Sequence, residues 1–150
     1  MTLRFLEDFA PGQTYKSNGT VTVDADSIKA FAREYDPQPY HLDEAAAKDT
    51  LFKGLAASGW HTAALTMRLI VDGEMKPAGG VLGAGFDEFR WPKPVRPGDE
   101  LRVESEILEV RPSKSRPDQG LIKVRTTTLN QKGEPVQVFV GNLIVPRRPA

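Results

Sequence analysis

Two periodicities divide the chain. In its first half apolar positions recur at helical spacing: behind Asp24 and Asp26, either of which can cap a helix, Ile28, Phe31, Ala32 and Tyr35 follow i, i+3, i+4, i+7. That helix must stop near Asp36, because Pro37 keeps its predecessor out of the α region. Asp36 to Leu42 then reads as a proline-stiffened loop, and a short alanine-rich helix follows from Asp43 to about Lys48. A further helix opens at Ser58 and Gly59, with Trp60, Ala63, Ala64, Met67, Ile70 and Val71 on one stripe and Leu65 and Leu69 widening it. A helix apolar over most of its circumference is expected to be buried.

From Leu82 onward the period is two. Leu101 and Val103 alternate with charged residues, as do Ile122 and Val124 with Thr126 and Thr128 behind them, and Val136, Val138 and Val140 continue the pattern. The phase slips between Val103 and Leu108, where a bulge would restore it, and Asn130 to Gly133 has the composition of a hairpin connection. The last strand is apolar on both faces, so one face can cover the helix while the other wants a loop or a second subunit. With a short strand expected around Thr14 to Val23, the pattern predicts an α+β fold: a central buried helix wrapped by a mainly antiparallel sheet of about five strands.

Composition narrows the function classes. A chain of 150 residues suits a single domain over residues 1–150. Twenty basic residues balance twenty acidic ones, which gives no bulk attraction to nucleic acid or to an anionic membrane. Without cysteine there is no disulfide, no thiolate zinc site and no cysteine nucleophile. The segment Met1 to Asp8 carries acids where a signal peptide needs an apolar run, and the apolar stretches fall short of a membrane span, so a cytoplasmic location is expected.

The candidate chemistry lies between the helices. His41 follows Asp36 by five residues across a segment stiffened by Pro37 and Pro39. Hydrating a double bond conjugated to a carbonyl needs a base for water, an acid for the α-carbon and donors for the enolate oxygen. A carboxylate and an imidazole on one stiff segment can hold a single water, and Gly59 at a helix start can offer its N–H to an oxyanion. The residues alone also fit a blander account: Asp before Pro is a common turn former, a lone His a common packing residue, and Gly at a helix start relieves crowding.

The run Phe31 to Asp43, with Phe52, Gly54, Leu55, Ala56, Ser58 and Gly59 after it, resembles the signature of the MaoC-like dehydratases, which include the (R)-specific enoyl-CoA hydratases. Asp36, Pro39 and His41 match the motif, while Gln38 stands where the family usually has Asn. Ala57-Ser58-Gly59 keeps the Gly of a common Ala-His-Gly and loses the His. Phe89 to Asp99 is similar to the family's strand and turn after the central helix. The resemblance implies the hot-dog fold and an acyl-CoA hydratase or dehydratase. It implies that Asp36 and His41 activate water and that the Gly59 N–H binds the thioester carbonyl. A hydroxyl on the central helix, from Thr62 or Thr66, would fit a role seen in some members.

Several residues carry secondary expectations. Tyr40, Ser58 and Trp60 could shape the acyl pocket, and Arg116, in a basic cluster with Arg111 and Lys114, could meet coenzyme A phosphates. His61 is set aside as a histidine bonded near a helix start. Asp72 and Glu74 are not a credible metal site, since no histidine accompanies them. No metal and no redox cofactor is expected, coenzyme A entering only as part of the substrate. The two-faced last strand and the resemblance together predict a homodimer or an assembly of dimers. A hot-dog thioesterase and a non-catalytic acyl-CoA-binding subunit are the alternatives; retention of Asp36 and His41 argues against both.

Overall fold

The structure, a computed structural model, describes residues 2–150. Its frame is one antiparallel sheet. Three long neighbours, β4 (Asp99–Pro112), β5 (Gln119–Leu129) and β6 (Pro135–Pro146), form the middle, β3 (Leu82–Arg90) extends it beyond β6, and β1 (Thr14–Lys16) lies on the far side of β4. A sixth strand, β2 (Val21–Val23), also pairs with β4. The single strand expected over residues 14–23 is thus two short ones, which makes six strands where about five were expected.

The bulge and the hairpin fall where the pattern slips. Pairing passes from Ile107 with Val124 to Glu109 with Lys123, leaving Leu108 as the extra residue. Between β5 and β6 the chain turns through Asn130–Gly133, with Gly133 at a φ of 74° that glycine tolerates best.

One face of the sheet carries Leu101, Val103, Ile107, Ile122, Val124, Phe139, Leu143 and Val145, all buried. Against it lies the central helix α4 (Gly59–Val71). Which side of α4 faces the sheet differs from expectation. Thr62, Thr66, Leu69 and Ile70 are buried, whereas Trp60, Met67 and Val71 are 62%, 39% and 46% exposed. The reason is polar pairing inside: Thr66 Oγ1 meets Thr128 Oγ1 at 2.6 Å, and Ser105 Oγ meets Thr126 Oγ1 at 2.8 Å. A hydroxyl with a partner loses the penalty that keeps it out of a core, so side-chain hydropathy alone gave the wrong stripe.

The expectation for β6 also changes. It is an inner strand, flanked by β5 and β3, and both its faces are largely covered within the chain. The open apolar surfaces are instead the outer edge of β3, which pairs with β6 on its inner side, and the outer side of α4. Among the described residues no helix is long and apolar enough to cross a membrane.

Candidate active site

The site is assembled where α1 (Ala25–Tyr35) ends and α4 begins. Asp24 caps α1 by accepting from the Ser27 N–H at 2.8 Å, and Ile28 and Ala32 bury its inner side. Tyr35, expected on that side, is exposed. Asp36 closes the helix with its N–H on Ala32 O at 2.9 Å, and Pro37 prevents continuation. The segment expected to be loop through Leu42 contains a helical turn, α2 (Pro39–Leu42), with Pro39 in the first position, where its missing N–H costs nothing. Asp43 caps α3 (Glu44–Ala47).

That turn swings His41 back over Asp36. Their nearest side-chain atoms, His41 Nε2 and Asp36 Oδ2, are 3.4 Å apart, with the imidazole buried and the carboxylate nearly so. Nδ1 of His41 lies 2.6 Å from the carbonyl oxygen of Ala56. A carbonyl can only accept, so Nδ1 carries the proton and a neutral His41 presents a lone pair at Nε2. Asp36 Oδ2 and His41 Nε2 are then two acceptors side by side. A water donating one hydrogen to each satisfies both.

Asp36 is held on both oxygens. The Ser58 hydroxyl, fully buried, donates to Oδ2 at 2.7 Å, and the Gln38 amide donates to Oδ1. The Tyr40 hydroxyl in turn donates to Gln38 Oε1. Burial pushes the Asp36 carboxyl up, but the bonds from Gln38 and Ser58 outweigh it, so the group sits below the usual carboxylate range. Asp36 therefore remains ionised at neutral pH.

Ser58 also caps α4, accepting from the Trp60 N–H at 3.2 Å. The Gly59 N–H, first in the helix, has no intrahelical acceptor and is available to a ligand. A side chain at position 59 would not fit: its Cβ would lie 2.6–2.8 Å from the Trp91 ring. The Trp91 indole rests on this glycine and donates from Nε1 to Oε1 of the fully buried Gln137 at 2.8 Å.

A cavity of about 340 Å³ opens beside these groups, with His41, Tyr40, Phe52, Gly59, Thr62 and Trp91 among its walls. Gln38 and Lys93 line it too, Lys93 being ion-paired with Glu134. The structure thus gathers Asp36, His41, Gly59, Tyr40 and Ser58 in one place. It does not bring Trp60 or Arg116 there. Trp60 is largely exposed and meets Trp91 edge-on at 5.5 Å, and Arg116 lies on the turn beyond β4, roughly 40 Å of strand from the Asp99 end at about 3.3 Å per residue. Of the two helix hydroxyls, Thr62 faces the cavity while Thr66 is committed to Thr128.

Sequence reasoning missed Trp91, Lys93 and Phe52 as lining residues. Trp91 and Lys93 stand inside the segment from Phe89 to Asp99 that carried part of the resemblance, which was the available signal. His61, expected to be hydrogen-bonded near the helix start, is instead buried and stacked on Phe31 at 4.8 Å, away from the cavity lining, with no partner for its Nδ1 among the described residues. Asp72 and Glu74 bind Arg68 and the Lys16 N–H, and no group of three or more His, Cys, Asp or Glu among the described residues could hold a metal.

An antiparallel sheet wrapped on a central helix, with a carboxylate and an imidazole side by side at the start of that helix, is the layout of a hot-dog protein. A family model described as "MaoC like domain" matches residues 8–130, and the chain belongs to that family. It is similar to the MaoC-like dehydratase from Rhodospirillum rubrum, whose crystal structure superposes with a TM-score of 0.94 at 54% identity, covering 98% of this chain and 99% of that one. An uncharacterized Bacillus subtilis protein, YdeM, is 35% identical over 140 residues, 93% of this chain and 96% of its own. A mesaconyl-CoA hydratase of Cereibacter sphaeroides is 43% identical over 68 residues, 45% of this chain and 20% of that protein.

Proposed function

We propose that this protein adds water to a 2-enoyl-CoA thioester, or removes it from the 3-hydroxyacyl-CoA, with Asp36 and His41 as the acid–base pair. The observation that carries the reading is the pair of acceptors, Asp36 Oδ2 and His41 Nε2, 3.4 Å apart beside a cavity that also holds Gly59. Water bridging the two attacks the β-carbon as its proton passes to the pair. The electron pair of the double bond moves toward the thioester carbonyl, and the resulting enolate oxygen accepts from the Gly59 N–H at the positive end of α4. Return of a proton to the α-carbon completes the addition, so no atom or electron is left over. No metal or redox group enters any step. The relatives named as a dehydratase and a CoA-thioester hydratase support the reaction class.

The test is a panel of acyl-CoA thioesters, following the conjugated enoyl absorbance and free thiol together. Loss of enoyl signal without thiol release is the expected result. Thiol release would mean a thioesterase, and no change in either signal would mean an acyl-CoA-binding subunit; both would overturn the proposal.

We also propose that the chain works as a homodimer, or an assembly of dimers, in the cytoplasm. Trp60, Met67 and Val71 on α4 and Leu82 and Phe86 on β3 are exposed apolar residues beside the outer edge of β3, which no strand of this chain pairs among the described residues. A second copy laid against them would bury roughly 1,200–2,000 Å². Light scattering is expected to give at least twice the 16.5 kDa chain; a monomer would refute this.

A further inference from the structure

Arg96 is a cation whose guanidinium serves peptide carbonyls. Asp99 is engaged by the Arg96 backbone N–H at 2.8 Å and by Gln131 at 2.9 Å. The guanidinium turns to the strap that leads into α4: Nη1 donates to Gly54 O at 3.0 Å and Leu55 O at 3.2 Å, and Nη2 donates to Phe52 O. The rigid fork of arginine suits this task, since one planar group reaches several acceptors. The strap needs external ties: Lys53 has a φ of 60°, a left-handed conformation that costs a non-glycine residue of order 1 kcal/mol. Two further bonds finish the job, from Ala56 N–H to Tyr40 O at 3.0 Å and from Ala57 N–H to Val95 O at 2.9 Å.

The end of this strap is the acceptor that defines His41. Ala56 O meets Nδ1 at 2.6 Å, and Phe52 lies beside the imidazole, with ring centroids 6.0 Å apart. We propose that Arg96 is a positioning residue which fixes the tautomer of His41: tying down the carbonyls of Phe52, Gly54 and Leu55 presents the carbonyl of Ala56 to Nδ1. The inference rests on the reading of His41 as base and extends it. Without the tie, the strap relaxes and Nδ1–H loses its acceptor. The imidazole can then carry its proton on Nε2, where Asp36 Oδ2 at 3.4 Å is ready to accept it. The pair would close on itself, with no lone pair left for water.

Nitrogen-15 NMR of the imidazoles in the full chain tests this directly. The chain has two histidines, and a His61→Gln variant assigns the signals. Wild type is expected to show neutral His41 with a protonated Nδ1 and an unprotonated Nε2. Arg96→Met should shift His41 toward the Nε2–H form. An imidazole in the wrong tautomer can cost up to about 10⁴ in turnover, and partial loss of an outer support about 10–100-fold. The expected result is therefore a fall in kcat of about 10–100-fold with KM nearly unchanged. Arg96→Lys keeps the charge without the fork and should fall between; if Arg96→Met does not fold, the lysine variant carries the test. A folded Arg96→Met or Arg96→Lys protein with the wild-type tautomer and kcat would overturn the inference. The tautomer reading needs no turnover, so a failure of the hydratase proposal is seen separately, in the thioester panel.

Discussion

Ser58→Ala is the perturbation that tests the construction of the site most sharply. The hydroxyl is fully buried and makes two bonds, donating to Asp36 Oδ2 at 2.7 Å and accepting from the Trp60 N–H at 3.2 Å. A hydrogen bond to a charged group contributes about 1.5–3 kcal/mol, and loss of a helix cap costs about 1 kcal/mol. One hydroxyl serves both, so a combined loss of about 2.5–4 kcal/mol is expected. At about 2–4 °C per kcal/mol for a domain of this size, the melting temperature should drop by about 5–16 °C. The pH dependence follows from Asp36, whose pKa is lowered in the fold. Stability from a depressed carboxyl is present above its unfolded pKa and is lost as pH falls through the folded one. The gap between wild type and Ser58→Ala should accordingly be widest near neutral pH and shrink in acid. The acid limb of the rate profile should move to higher pH, while the carboxylate stays ionised at pH 7. Turnover should still fall there by about tenfold, because the carboxylate is tied at one oxygen instead of two. Urea melts of a cycle with Asp36→Ala isolate the contact; alanine is required because an asparagine oxygen could still accept. A coupling below about 0.5 kcal/mol, or an acid limb that does not move, would refute the reasoning.

Three further outcomes are expected. Asp36→Asn and His41→Gln should each lower turnover by about 10²–10⁴ in a protein that still folds, Asp36→Asn melting lower than wild type because it gives up the charge that accepts from Ser58 and Gln38, and the turnover of the double variant should be little worse than that of either; a folded His41→Gln protein with near-normal hydration would mean the site is misread. Gly59→Ala should displace Trp91, since its Cβ would lie 2.6–2.8 Å from the ring, lowering stability by about 1–3 kcal/mol; melts and tryptophan fluorescence would report it, and unchanged values would disprove the packing. His61 has a pKa lowered by burial, with Asp24 pulling weakly the other way, so the unfolded chain binds the proton more readily. Its contribution is complete above the ordinary histidine pKa of 6.5 and declines as pH falls below it, so His61→Leu should flatten the loss of melting temperature between pH 7 and 5.

The closeness of Asp36 and His41 was legible in the sequence because it is local. Pro37 fixes where α1 ends, and five residues cannot carry His41 far from Asp36. The bulge at Leu108 was legible for a similar reason, since alternation of side chains counts residues and an extra one shows. Ser58 was legible as a helix start but not as a ligand of Asp36, because 22 residues separate them and only the packing of α1 on α4 joins them. Gln137 and Arg96 were invisible as supports of the site for the same reason. Each meets it through another segment, Gln137 by holding the Trp91 indole and Arg96 by tying the carbonyls of Phe52, Gly54 and Leu55. The central helix was misread for a different reason. Thr62 and Thr66 look like surface residues until their partners are known, and Thr128 is supplied by a strand 62 residues after Thr66.

That misreading bears on how the molecule is arranged. The inner side of α4 is committed to the sheet through threonine, Leu69 and Ile70, and its first residue carries the N–H that the proposed reaction uses. Trp60 and Met67 therefore have to face outward, and Trp60 rests edge-on against Trp91. Trp91 in turn lies on Gly59 and lines the cavity. An apolar surface left open by the chain is thus two aromatic contacts away from the candidate oxyanion donor. If a second copy covers that surface, its packing acts on Trp60 first, through Trp60 on Trp91, and through Trp91 on the wall of the site. The same substitution that weakens pairing, Trp60→Ala, would for that reason be felt in turnover as well as in mass. Arg116, far from His41 within its own chain, has no such connection.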